Sequence, residues 1–226
     1  MKAPSRPRWR LALAITLAGI ALTVALGIWQ VQRLAWKQGL LAEIDRAEAA
    51  PAIPLPPDPV PFAKVRAEGR FDGAHAVYYG ALVRGGRPGA RLLVPLLRDG
   101  AAPVLVDRGF VPLPWDGDPA TAAASGAVEA YVRPPDTAGW FTPADDPAAR
   151  RFYTLDPAAI GRAIGVPGLA PYVLVALGSP GGVPEPAQAL PRPPNNHLGY
   201  AVTWFGLAAA LAGVFAVYIR KELSRR

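Results

Sequence analysis

At 226 residues the chain has room for one domain of ordinary size plus membrane segments. It contains no cysteine, which excludes disulfides, thiolate metal sites and cysteine nucleophiles. Its net charge of +7 invites a nucleic-acid reading, but the placement of the charge argues against one.

Lys2, Arg6, Arg8 and Arg10 precede the first apolar run with no acid among them. Arg220, Lys221, Arg225 and Arg226 follow the last run, offset only by Glu222, and the 16 basic and 16 acidic residues between the runs cancel. Positive charge flanking apolar runs predicts a membrane protein with both termini in the cytoplasm, here residues 1–10 and the tail 220–226. Leu11 to Trp29 is an uncharged run of 19 residues, read as a first transmembrane helix. The rival reading is a secretory signal peptide cleaved near Ala25-Leu26-Gly27, but signal cores usually span about 7–15 residues. Gly19, Thr23 and Gly27 make a small-residue stripe that lets a second helix approach, with Gly206, Ala210 and Gly213 the expected counterparts. Gln30 to about Glu48 continues the helical pattern, with Trp29, Arg33, Trp36 and Lys37 along one side. Those four read either as interfacial anchors or as a cationic, aromatic rim to something lodged between helices.

The proline-rich stretch 50–61 predicts an extended, semi-rigid connector. The region 62–177 reads as a mainly antiparallel β domain with strands Val65–Phe71, Ala76–Val83, Leu92–Leu97, Val104–Val111, Ala127–Val132 and Tyr172–Leu177. Asp156 as cap, Pro157 at the first position and a stop at Gly165 predict one short helix. Arg108-Gly109 predicts a buried salt bridge beside a bulge or turn. A second linker, 178–196, returns the chain to an apolar run, 197–219, whose uncharged part from Leu198 to Ile219 suffices to cross a bilayer of about 30 Å. The expected fold class is therefore a membrane protein of the α+β type: two transmembrane helices flanking an extracytoplasmic, mainly antiparallel β domain with a short helix.

This topology brings the Trp29–Lys37 segment and the start of the second span to one membrane boundary. There His197 occupies a first helical turn with Asn195 or Asn196 as the expected cap. The positive end of a helix and the neighbouring lipid both disfavour added positive charge, leaving the neutral imidazole that binds metals. One histidine is too few for zinc, which takes three or four protein ligands, whereas haem needs only one. Tyr200, Ala201, Trp204 and Ala208 continue the His197 face as aromatic walls and small-residue space. On the residues alone, His197 reads either as a polar cap or as an axial ligand.

Leu26-Gly27-Ile28-Trp29-Gln30-Val31-Gln32-Arg33-Leu34-Ala35-Trp36-Lys37 resembles the L-G-x-W-Q-x-x-R-x-x-W-K signature of the Surfeit locus protein 1 family of cytochrome c oxidase assembly factors. Asn195-Asn196-His197-Leu198-Gly199-Tyr200-Ala201-Val202-Thr203-Trp204-Phe205 resembles its N-N-H-x-x-Y-A-x-T-W-F signature. Val104 to Pro112 is similar to its V-L-V-N-R-G-W-V-P segment, with Asp107 and Phe110 in place of Asn and Trp. The resemblance implies a multi-pass protein of the cell (inner) membrane with its domain on the periplasmic side. It further implies an assembly factor that binds haem a transiently through the histidine matching His197 and aids its insertion into the oxidase catalytic subunit. The implied partners are that subunit, the haem a synthesis enzymes and the lipid bilayer, with no nucleic acid. Trp29, Gln30, Arg33, Trp36, Lys37, Asn196, Tyr200 and Trp204 join His197 as expected cofactor-binding residues, with Arg33 or Lys37 pairing the propionates. An enzyme is not expected: His75 with Asp72, Ser125, Ser179 and Asp145-Asp146 form no catalytic motif. The alternative is a cofactor-free scaffold for oxidase subunits.

Overall fold

No proline interrupts the sequence from Arg8 to Ala49, and this stretch is one helix, α1 (Arg8–Ala49), in the computed structural model, which describes residues 8–119, 126–179 and 181–224. Lys2, Arg6, Ser125, Arg225 and Arg226 lie outside the described residues, as does the side chain of Arg8. The chain divides into two compact units, 1–43 with 192–226 and 44–191.

The second unit carries β1 (Ile53–Pro54), β2 (Lys64–Phe71), a 3-10 turn at Gly73–His75, β3 (Val77–Arg84), β4 (Arg87–Leu97) and β5 (Val104–Pro112), followed by β6 (Gly126–Arg133), β7 (Arg151–Phe152), α2 (Pro157–Ile164) and β8 (Val173–Ala176). In the sheet β2 pairs with β6, β6 with β8, β8 with β5 and β5 with β4. β4 then returns to β2 through Arg70–Leu97 and Phe71–Leu96, so five strands close on themselves as a barrel. Closure needs the bare backbone of Gly69, where a Cβ would run into the Leu97 carbonyl. Pairing is antiparallel except for β1–β2, β3–β7 and β5–β8.

Inward-facing Val65, Phe71, Leu92, Val94, Val104, Val106, Val128, Val132 and Leu174 fill the barrel. β4, β5 and β8 are also apolar on their outer side, where Leu93, Leu105 and Val173 pack beneath Leu155 and Ile160 of the α2 region. That double burial is why these strands read as apolar runs rather than alternating ones. The helix α2 follows its sequence signals: Asp156 accepts from the N–H groups of Ala158 and Ala159, and Gly165 ends it at a positive φ.

Two expectations change. β4 begins five residues earlier than Leu92, because Gly85 and Gly86, both at positive φ, make the tight hairpin turn that pairs Arg84 with Arg87. The buried salt bridge in the Arg108-Gly109 region belongs to Asp107, which pairs with Arg91; Arg108 itself is the extra residue of a bulge, with Leu92 opposite Gly109 and Leu93 opposite Asp107. The segment after β8 runs against the sheet: Phe110 and Glu185 exchange both backbone hydrogen bonds at 2.8 Å, and Ala187 N–H donates to Ala176 at 3.0 Å. A Cβ on Gly109 would run into Glu185 there.

Ile44 and Ala47 of α1 pack with Tyr131, Val175 and Leu190. Burial raises Tyr131 above the ordinary tyrosine value of 10.0; burial and then the hydrogen bond to Asp136 raise Tyr79. A folded value above the unfolded one gives stability that is complete below pH 10.0 and lost as pH rises through the raised value. Alkaline titration of the unfolding midpoint should therefore show a loss that Tyr79→Phe and Tyr131→Phe reduce, and an unchanged pH profile in both variants would refute the assignment.

The first unit pairs α1 with α3 (His197–Leu223). Both helices are long and apolar enough to cross a membrane, and with the β barrel between them they give the expected architecture.

Candidate functional site

The expected stripe on α1 does meet α3. Thr23 and Gly27 are buried, and a Cβ at Gly19 would sit 3.3 Å from Leu211. The counterpart on α3 differs from expectation: Gly206 and Gly213 face open space and Ala210 is exposed, while Ala201, Phe205, Ala208 and Leu211 make the contact. At Gly27 the Phe205 ring fills the space of a side chain, 2.7 Å from where a Cβ would lie. The small-residue space that the sequence assigned to a flat ring beside Ala201 and Ala208 is thus occupied by α1 itself.

At the upper end of this contact His197, the first residue of α3, meets Gln30 of α1, with Nδ1 and Oε1 2.7 Å apart. An amide oxygen only accepts, so His197 Nδ1 carries the proton and donates it. Nε2 then holds the lone pair and makes no hydrogen bond to a described residue. Gln30 is 8% exposed, and its carbonyl is held where His197 needs it. This is the arrangement that fixes tautomer and ring direction in metal-ligating histidines. Among the described residues no three His, Asp or Glu side chains converge on a bare metal ion. His197 can therefore serve a metal that brings its own remaining donors, as porphyrin iron does.

The helix α1 runs on past His197. Lys37 follows Gln30 by seven residues, which places it on the same face and about 10 Å further along the axis. The Arg33 guanidinium stacks 4.6 Å from the Trp36 ring centroid and Lys37 Nζ lies 5.8 Å from it. Neither cation pairs with a carboxylate among the described residues, so both charges remain available to an anion. Trp29, Trp36 and Tyr200 are exposed and Trp204 is half-buried. Asn196 occupies the cap position without a side-chain cap bond, and Asn195 Oδ1 is shielded with no hydrogen-bond partner. The expected asparagine cap is not made; the first turn is held through His197 instead.

The structure thus joins His197 to Gln30 and groups Arg33, Trp36 and Lys37, while Trp29 and Tyr200 stay on exposed faces. Sequence reasoning placed Gln30 in the site but missed its role in aiming the histidine. The available signal was that Gln30 prolongs the Gly19-Thr23-Gly27 stripe, making it a polar residue on a packed face. The enzyme fragments have structural roles: His75 Nδ1 bonds Asp72 at 2.7 Å, Asp145 accepts from Tyr153 and Thr154 N–H, and Asp146 accepts from Ala149 N–H.

Two long apolar helices that flank the β-barrel domain in the sequence, with an oriented imidazole where those helices meet, define a two-helix membrane protein with a candidate ligand site on its helix pair. The chain belongs to the SURF1 family, whose model matches residues 17–209. It is 32% identical to Surfeit locus protein 1 of Xenopus tropicalis, over 88% of this chain and 73% of the relative. It is 31% identical to the Homo sapiens protein of that name, over 82% and 70%, and 27% identical to a SURF1-like protein of Rickettsia felis, over 93% and 97%. Membership implies a role in cytochrome c oxidase assembly.

Proposed function

We propose that this protein receives haem a at the membrane boundary through His197 and passes it to the catalytic subunit of the haem–copper oxidase, acting as a carrier rather than an enzyme. The observation that carries this reading is the His197–Gln30 hydrogen bond, which commits Nδ1 and leaves Nε2 as the ligating atom. Haem supplies four of the iron's donors, so one imidazole suffices. Arg33 and Lys37, free of carboxylate partners among the described residues, are suited to pair with propionates. Because α1 and α3 are in close contact at Gly27 and Phe205, the cargo belongs on the outer side of the helix pair rather than between its members. The flanking positive charge supports termini in the cytoplasm and a β domain on the periplasmic side of the inner membrane.

Coexpression with the haem a synthesis enzymes, followed by the visible spectrum of the detergent-purified protein, tests this. A Soret band is expected for the wild type and none for His197→Ala; haem a copurifying in full with the variant would refute the ligand assignment. A second reading, a cofactor-free scaffold, has one observation in its favour: Trp140 and Phe141 are 96% and 95% exposed on a turn of the β domain, as residues awaiting a protein partner are. A wild type without a Soret band would select the scaffold.

A further inference from the structure

Most half-buried cations of the β barrel are paired: Arg91 with Asp107, Arg133 with Asp136 and Lys64 with Glu129. Arg108 is different. As the extra residue of the β5 bulge it opposes no residue of β4, and a bulge re-aims the side chain it carries. Its guanidinium lies 4.4 Å from the centroid of Phe71, a residue of the barrel interior. It makes no hydrogen bond or ion pair with a described residue, and burial lowers it from its ordinary value while leaving it charged. The same two side chains line a cavity of about 350 Å³ at the barrel mouth, with Val128, Ala176, Pro184 and Pro186 among its walls.

We propose that this mouth binds a monocarboxylate on an apolar body, with Arg108 gripping the carboxylate and Phe71 and the two prolines covering the body. Barrel mouths are common ligand sites, and the volume lies within the range of small-molecule pockets. Guanidinium geometry matches a carboxylate through two parallel hydrogen bonds. Glu129 also lines the cavity but is paired with Lys64 at 3.6 Å, so Arg108 is the one uncompensated charge of the lining and matches a single carboxylate rather than a dianion such as phosphate. The site lies wholly within residues 44–191, so it stands or falls independently of haem at His197.

Titration calorimetry on the detergent-purified full chain, with a micelle blank, tests the proposal using phenylbutyrate, its neutral analogue phenylbutanol and inorganic phosphate. Phenylbutyrate should bind at least about tenfold more tightly than phenylbutanol, the discrimination expected of a charge-assisted hydrogen-bond pair. Arg108→Gln should reduce the acid to the level of the alcohol. Equal binding of acid and alcohol by the wild type, tighter binding of phosphate, no measurable acid binding, or full acid binding by a folded Arg108→Gln would each overturn it. The wild-type comparison decides alone if the variant fails to fold.

Discussion

Replacing Gln30 by Leu should lower haem occupancy of the coexpressed protein by ten- to a hundredfold even though His197 is untouched. Leu fills nearly the same volume, so the contact between α1 and α3 is kept, but the Nδ1 proton loses its acceptor. The imidazole can then turn or exchange tautomer, and the lone pair is no longer held at Nε2; second-shell partners of metal-ligating histidines commonly account for effects of this size. Gln30→Glu supplies an acceptor oxygen at the same place and should recover most of the occupancy. The Soret absorbance per protein, measured for both variants, checks the expectation. Wild-type occupancy in Gln30→Leu would mean that His197 is aimed by something else, or not used.

Why the histidine was legible from sequence and its partner's role was not follows from distance along the chain. His197 announces itself by position, at the start of an apolar run. Gln30 is 167 residues away, and its role depends on the rotational setting of two helices. On α1 the Gly19-Thr23-Gly27 stripe marked the setting because it alone carries the glycines of the apolar run, whereas the second small face, Ala14, Ala18, Ala21 and Ala25, is all alanine. On α3, alanines and glycines occur on every face, so Gly206 and Gly213 were as eligible as Ala201 and Ala208. The same division holds in the β domain. α2 carries its cap, its proline and its terminal glycine in ten residues, and all three act as read. Barrel closure rests on two residue pairs between β2 and β4, a tertiary register that no local pattern encodes. The bulge at Arg108 breaks the two-residue alternation of β5, so the ion pair passes from the residue that looked eligible to Asp107 before it.

Arg91→Leu should destabilise the β domain by about 3–5 kcal/mol, the cost of stranding a buried charge. Asp107 is 1% exposed; it accepts from Arg91 Nε and, at 3.0 Å, from the Gly109 N–H that follows the bulge. Burial pushes its carboxyl up, and Arg91 with the Gly109 N–H opposes that rise. Without Arg91 the upward push is unopposed by a nearby guanidinium of the same strand pair, and the folded value moves further above the ordinary 3.8. A raised folded value means that the carboxyl's contribution is most favourable below pH 3.8 and is lost as pH rises through the raised value. The deficit of Arg91→Leu should thus be large near neutral pH and shrink toward acid. Asp107→Asn fails for a related reason: an amide can still accept from Gly109, but its NH₂ group would confront the Arg91 donors. Arg91→Leu combined with Asp107→Leu removes both charges and should cost less than the single Arg91 change, since an apolar replacement of a buried pair is often close to neutral. Urea unfolding of all three variants across pH measures these terms. An Arg91→Leu protein within about 1 kcal/mol of wild type at neutral pH, well below the cost of a broken buried pair, would show that Asp107 does not depend on Arg91.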